Sequence, residues 1–126
     1  GYVGVDIVSK AIITARMRHP ERTFILADIC VDPLPEVEVV LCRDALQHLS
    51  LADGTAAIDN FRRTGAWLLI AGSFAQGENR DISTGGYYEP DLIAPPFSLG
   101  SPYVTFEDTK ADGIHWPGKY LMGFRL

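Results

Sequence analysis

Three aspartates stand at or just beyond the ends of short apolar runs, where their carboxylates can bind a ligand. Asp6 ends the run YVGVD, Asp28 follows FILA, and Asp44 comes two residues after VVLC. A carboxylate has two acceptor oxygens, so it can accept both hydroxyl groups of a ribose diol, or the proton of an exocyclic amine. An acid after a strand is also a common solvated surface group, so each aspartate has a purely structural interpretation as well.

The apolar runs alternate with stretches of helical spacing, and this alternation predicts an α/β domain. We expect strands at Tyr2–Asp6, Thr23–Ala27, Val37–Cys42 and Trp67–Ala71, helices at Lys10–His19 and Ala52–Arg63, and a last antiparallel strand pair, Tyr103–Glu107 with Tyr120–Arg125. Such an order requires a mostly parallel sheet with helices on its faces. Ligands of these sheets bind beyond the carboxyl ends of the strands, where the aspartates stand.

A long connection follows the fourth predicted strand, from Phe74 to Pro102, and it is rich in glycine, proline, asparagine and serine. Its aromatic and apolar residues favour a loop that is packed and functional over one that is disordered. Arg80, Tyr87 and Tyr88 are weak candidates for contacts to a substrate. A local salt bridge of Arg80 and simple packing of the two tyrosine rings are the plainer explanations.

Asp44 and His48 are four residues apart on a predicted helical turn, Ala45–Leu49, so they are expected to share one face. Such a pair can hold a metal ion or position a proton acceptor, and it is the weak catalytic candidate of this sequence. A surface pair or a capping aspartate is the plainer explanation. The three histidines lack the spacing of metal ligands, so no metal is expected.

Composition and charge argue against several classes of partner. The net charge is −5 and the 11 basic residues are scattered, so nucleic acid is not expected as a partner. The sequence has neither an apolar run of about 18 residues nor the pattern of a secretory signal, so no membrane association is expected. Cys30 and Cys42 are isolated and predict free thiols in a reducing compartment, which indicates a cytoplasmic protein.

Four stretches resemble successive motifs of class I S-adenosylmethionine-dependent methyltransferases: YVGVDIVSKAI, FILADI, VVLCRDALQHLS and WLLIAGSF. The resemblance as a whole covers nearly the entire chain. The later stretch NRDISTGGYYEPDLIAPPF is similar to the loop after the corresponding strand in a group of methyltransferase-like proteins. The resemblance implies a Rossmann-like three-layer sandwich that uses S-adenosylmethionine. A small acceptor would be held under the loop of residues 74–102.

The resemblance also implies a role for particular residues. Asp6 with Ile7 would hold the ribose, and Asp28 with Ile29 would contact the adenine. Cys42, Arg43 and Asp44, at the end of the next strand, would lie beside the methionine moiety and the acceptor.

The sequence departs from the family at its beginning. The glycine-rich signature E/DxGxGxG and the strand that carries it have no counterpart here, and in the family that strand lies between those matching Tyr2–Asp6 and Val37–Cys42. Either these two strands pair directly or another chain covers the gap, because buried strand edges need partners. We therefore expect residues 1–126 to form a partial methyltransferase-like domain with impaired methyl transfer. We also expect a homodimer that covers the exposed sheet. The alternative is a non-catalytic remnant that serves as a dimeric structural module without cofactor.

Overall fold

The elements follow the order predicted from the apolar runs. The computed structural model describes residues 1–108, 110–111 and 114–126. The elements are β1 (Val3–Asp6), α1 (Ser9–Arg18), β2 (Thr23–Leu26), β3 (Val39–Cys42), a 3-10 turn (Leu46–His48), α2 (Leu51–Arg63), β4 (Leu68–Phe74), β5 (Val104–Glu107), β6 (Lys110–Ala111), β7 (Ile114–His115) and β8 (Lys119–Arg125). The predicted strands, helices and turn are confirmed, with ends that differ by a few residues. No helix in the described ranges is long and apolar enough to cross a membrane.

The strands form two main sheets and one small hairpin. Strands β1 and β2 are parallel, with Val3 opposite Thr23 and Asp6 opposite Leu26. The larger sheet has the order β3-β4-β8-β5, in which β3 and β4 are parallel and β8 runs antiparallel to both of its neighbours. The predicted antiparallel pairing of the last two long strands is therefore confirmed, and the fold is of the Rossmann-like α/β class.

A break in the sheet separates β1 from β3. Among the residues that the structure describes, β1 pairs only with β2, and β3 pairs only with β4. Of the two outcomes expected from the sequence, direct pairing of these strands is therefore wrong. Leu41 on β3 is 66% exposed and Leu26 on β2 is 53% exposed, although residues of parallel strands are usually buried on both faces.

Helix α2 supplies much of the core. It begins after Ser50, whose side chain accepts a hydrogen bond from the Asp53 amide at 3.1 Å. Ala57, Ile58 and Phe61 point inward and are almost completely buried against the larger sheet and the long loop. Burial of this apolar face is what fixes the helix on the domain.

Asn60, on the same helix, ties the core to the turn that follows β2. Its side chain is buried, and its Nδ2 donates to the carbonyl oxygens of Ile29 and Asp32, each at 2.8 Å. Its Oδ1 accepts from Arg63 at 3.1 Å. The amide group thus satisfies two backbone carbonyls that lie between the β1–β2 unit and the rest of the domain.

The substitution Asn60→Ala should lower the free energy of unfolding by ~2 kcal/mol, because it removes three hydrogen bonds and leaves two backbone carbonyls without this donor. Asp59→Ala is the matched control, since Asp59 is the preceding residue on the helix, is exposed and forms a surface ion pair with Arg62. That control should change stability by no more than about 0.5 kcal/mol. Urea unfolding followed by circular dichroism measures both, and equal effects would contradict this role for Asn60.

Candidate functional site

Asp6 and Asp28 lie at the same edge of the small sheet. Strands β1 and β2 are parallel and paired in register, so their carboxyl ends meet there. The amide of Ala27 donates to the Asp6 carbonyl at 3.1 Å, which places the residue before Asp28 directly beside Asp6. The structure thus brings the first two predicted ligand-binding acids together, and Asp44 follows a strand of the other sheet.

Both carboxylates are oriented by the backbone that follows them. Asp6 Oδ1 accepts from the Val8 amide, and Asp28 Oδ1 accepts from the Cys30 amide, each at 2.8 Å. Asp6 and its neighbour Ile7 are exposed. In each carboxylate, the hydrogen bond to one oxygen fixes the orientation of the side chain. This also sets the direction of the second oxygen.

Ile29 is partly buried against the core, and its carbonyl is used by Asn60. Its N–H donates to no acceptor among the described residues. The Asp28 carboxylate is thus an acceptor and the Ile29 N–H beside it is a donor. The edge of an adenine ring, with its amine and ring nitrogen, is complementary to such a pair.

The end of β3 holds a network of four charges. Lys119 Nζ lies 2.6 Å from Asp44 Oδ1 and 3.5 Å from Asp108 Oδ2, and its side chain is only 5% exposed. Arg43 forms a two-pronged bond to Asp108, at 2.7 Å and 3.1 Å. The hydrogen bonds from Arg43, together with the nearby Lys119 ammonium, lower the pKa of Asp108. Two cations and two anions thus compensate each other where β3, β5 and β8 come together.

Cys42 and Cys30 are both buried free thiols. Burial raises the pKa of Cys42 to about 11, and burial with the hydrogen bond to Asp28 raises the pKa of Cys30 to about 12. Neither thiol is a nucleophile near neutral pH, since the thiolate is the reactive form. The side chain of Cys42 packs in the core, so its thiol is not exposed to a ligand at this strand end.

His48 and Asp44 contact different groups. Asp44 is bound to Lys119 and lies 3.8 Å from Arg43, whereas His48 Nδ1 lies 2.8 Å from the carbonyl oxygen of Gly86. The His48 ring also lies against Tyr87, with 5.8 Å between ring centroids. The structure thus gives these two side chains separate partners and shows no contact between them. In addition, no cluster of three or more potential metal ligands occurs in the described part of the chain.

Aromatic side chains of the long loop have two different environments. Tyr87 is exposed and lies between His48 and Trp116, with its ring centroid 6.0 Å from that of Trp116. Tyr88 is buried in the core, and its hydroxyl has no hydrogen-bond partner in the described structure. Burial is the main cause that raises the pKa of Tyr88 to about 12. Of the two candidate tyrosines, only Tyr87 can therefore touch a ligand without rearrangement.

The predicted packing of the long loop is confirmed. Leu92 and Phe97 lie in the core, and the Leu92 amide donates to the buried Ser73 hydroxyl at 3.0 Å. Asn79 holds the loop together by donating to the carbonyls of Asp91 and Pro95, each at 2.8 Å. Arg80 is exposed and donates to the Tyr87 carbonyl at 3.3 Å.

The start of α2 anchors the other side of the loop. The Leu51 amide donates to Asp81 at 3.0 Å, and the Ser50 amide donates to the Thr84 hydroxyl at 2.9 Å. Thr84 in turn donates to the Asp53 carboxylate. The loop is thus held against the same end of the fold as His48.

Sequence reasoning missed Lys119 and Asp108. Lys119 opens the apolar strand KYLMGF, and a lysine at the start of a buried run is a signal that a partner carboxylate must exist. That signal does not say which of the 16 acidic residues is the partner. Asp108 also gave no signal, because it is 65 positions from Arg43 in the sequence.

The solved structures that are similar to this chain share one fold. No protein-family model and no curated sequence matches the chain. Among solved structures it is similar to magnesium protoporphyrin IX methyltransferase of Synechocystis PCC 6803 with bound S-adenosylmethionine, with a TM-score of 0.72 and 17% identity. It is also similar to the N-methyltransferase NodS of Bradyrhizobium japonicum WM9 with bound S-adenosylhomocysteine, with a TM-score of 0.65 and 19% identity.

Each of these two comparisons covers 98% of this chain, but only 58% of the Synechocystis chain and 65% of the Bradyrhizobium chain. The 1,6-didemethyltoxoflavin-N1-methyltransferase of Burkholderia thailandensis has a TM-score of 0.66, with 14% identity, 98% of this chain covered and 60% of that one. The chain therefore has the class I S-adenosylmethionine-dependent methyltransferase-like fold. It spans about three fifths of the length of these solved proteins.

The charge network predicts how stability depends on pH. Because the pKa of Asp108 is lowered in the folded chain, its carboxylate stabilises the fold above its ordinary pKa of about 3.9. This stabilisation is lost as the pH falls through the lower, folded-state value. We expect Asp108→Asn to be less stable at pH 7 and to show a smaller further loss of stability below about pH 4. Urea unfolding across this pH range tests it, with Asp59→Asn as control. Parallel curves for Asp108→Asn and the native chain would contradict the prediction.

Proposed function

We propose that this chain takes part in methyl transfer from S-adenosylmethionine to a small acceptor. The observation that carries the proposal is the pair of oriented carboxylates, Asp6 and Asp28, at adjacent carboxyl ends of β1 and β2. The fold supports it, because ligands of open α/β sheets bind beyond this edge.

The residues at this edge fit an adenosine group. The exposed Asp6 carboxylate can accept both hydroxyls of a ribose, with Ile7 beside it. Asp28 can accept from the exocyclic amine of adenine, while the spare N–H of Ile29 donates to a ring nitrogen. The backbone of Cys42 and the side chain of Arg43 would face the amino acid end of the cofactor.

S-adenosylmethionine supplies a methyl group on a sulfonium, which is an excellent leaving group. The chain then needs mainly to bind and to orient the two reactants. We place the acceptor under the loop of residues 74–102, because this loop is fixed both to the core and to the start of α2. Both cysteines are buried free thiols, which favours a reducing compartment such as the cytoplasm for this protein.

Calorimetric titration with S-adenosylhomocysteine tests the site. We expect binding that Asp6→Asn weakens about 10-fold or more, because Oδ1 stays with the Val8 amide and the second oxygen, which would accept from the diol, becomes an NH2 donor. Asp6→Asn keeps the acceptor for the Val8 amide, so the turn after β1 is preserved. Asp59→Asn removes the same charge from an exposed position and should bind like the native chain. No heat at millimolar ligand from a folded sample would refute the proposal.

We also propose that the chain forms a homodimer that covers the break in its sheet. The described part of β3 has an unpaired edge, and the apolar side chain of Leu41 on this strand is 66% exposed. Unpaired strand edges and exposed apolar surface both favour association.

Sedimentation at low micromolar concentration should show a dimer, and Leu41→Lys should shift it to the monomer, because the lysine would bury its charge at the contact. Met17→Lys is the control, since Met17 is 79% exposed and lies on helix α1, outside the strands of both sheets. A native chain that is strictly monomeric would rule the dimer out. A dimer without affinity for S-adenosylhomocysteine would favour the alternative function, a non-catalytic structural module.

A further inference from the structure

One contact of His48 determines which of its ring nitrogens can take up a proton. Nδ1 lies 2.8 Å from the carbonyl oxygen of Gly86. A carbonyl oxygen can only accept a hydrogen bond, so Nδ1 carries the hydrogen. In the neutral ring, Nε2 is then the nitrogen with the lone pair, and no described residue forms a hydrogen bond to it.

The backbone holds this ring at the end of the fold where ligands of such sheets bind. His48 is the last residue of the 3-10 turn that follows β3. Its carbonyl accepts from the Gly85 amide at 2.7 Å, and the Tyr88 amide donates to the Gln47 carbonyl at 3.1 Å. The loop therefore fixes both the backbone and the imidazole of an exposed histidine, which is more constraint than a solvated surface residue requires.

The rings of Tyr87 and Trp116 form a row beside the His48 ring. Tyr87 lies 5.8 Å from the His48 ring and 6.0 Å from the Trp116 ring, in tilted arrangements. Tyr87 is 37% exposed, so this group lies at the surface of the ligand-binding end and not in the core. Exposed aromatic faces of this kind favour a flat, apolar ligand that stacks on them.

Two carboxylates contribute to the electrostatic field at the Tyr87 ring. Burial, followed by the carboxylates of Glu89 and Asp44, raises the pKa of the Tyr87 phenol. The one cation that contacts this residue in the described structure is Arg80, through the Tyr87 carbonyl. Such a field disfavours a ligand that binds as an anion, so an acceptor that binds here with its hydroxyl protonated needs a base to take the proton.

We propose that His48 is the catalytic base for the methyl transfer proposed above, and that the acceptor is a flat aromatic molecule with a hydroxyl group. The inference rests on that proposed function. The hydroxyl proton passes to Nε2 of His48, and the oxygen lone pair forms the bond to the methyl carbon. The carbon–sulfur bond breaks with its electron pair going to sulfur, so S-adenosylhomocysteine leaves. The imidazolium then returns its proton to water.

The ring state and the aromatic site can be tested without turnover. Nitrogen-15 spectra of the histidine side chains should show His48 as the Nδ1–H tautomer. In a Trp67→Phe background, 2-naphthol should quench the fluorescence of Trp116 saturably, and Tyr87→Ala should weaken its binding about 10-fold. An Nε2–H tautomer, or no saturable quenching, would overturn the inference.

Turnover tests the role of the base, with 2-naphthol as acceptor and radiolabelled S-adenosylmethionine as donor. His48→Gln should lower kcat by about 100-fold or more with little change in KM, because glutamine keeps a donor for Gly86 but cannot accept the proton. The rise of the native rate with pH should disappear in this variant, and added imidazole should restore part of the rate. His19→Gln changes another exposed histidine, which lies at the end of α1, and should behave like the native chain.

The possible failures are distinct. Binding of S-adenosylhomocysteine without transfer to 2-naphthol, or equal rates in native and His48→Gln chains, would refute this inference and leave the cofactor site intact. A folded chain that binds no S-adenosylhomocysteine would refute the proposed function, and the catalytic role of His48 with it.

Discussion

The buried ammonium group of Lys119 is the constraint on which the larger sheet depends. A charge removed from water costs several kcal/mol unless it has close partners of the opposite sign. Lys119 opens β8, Asp44 follows β3 and Asp108 follows β5, so satisfying one cation fixes the ends of three strands relative to one another. Arg43 then neutralises the second carboxylate. The 3-10 turn with His48 leaves this cluster directly, so its position also depends on the network.

Much of the fold could be predicted because it depends on local patterns. Short apolar runs separated by stretches of helical spacing gave the strands and both helices in the right order. The position of Asp6 and Asp28 after two consecutive parallel strands was enough to place them at one edge. These features involve residues close in sequence, or strands joined by the usual crossover, so the general rules of α/β folds apply to them.

The remaining features depend on contacts between distant residues. Lys119 and Asp44 are 75 positions apart, and His48 and Gly86 are 38 apart. No periodicity in the sequence encodes such a pair. The composition of the long loop predicted that it packs, but not that Tyr88 turns inward while Tyr87 stays at the surface. Two adjacent tyrosines have no local sequence feature that tells which ring is buried. The packing of the core beneath the loop determines it.

The division of the sheet also has a consequence for how the molecule opens. The unit of β1, α1 and β2 has only its own internal sheet pairing among the described residues, and it joins the core through the turn after β2 and the amide of Asn60. Two-stranded parallel sheets have little stability of their own. We therefore expect this unit to unfold locally before the four-stranded sheet does, with faster exchange of its amide hydrogens. A nucleoside at the edge of this unit would bind only molecules in which the unit is folded. The apparent affinity of the nucleoside would therefore depend on the local folding equilibrium as well as on its contacts.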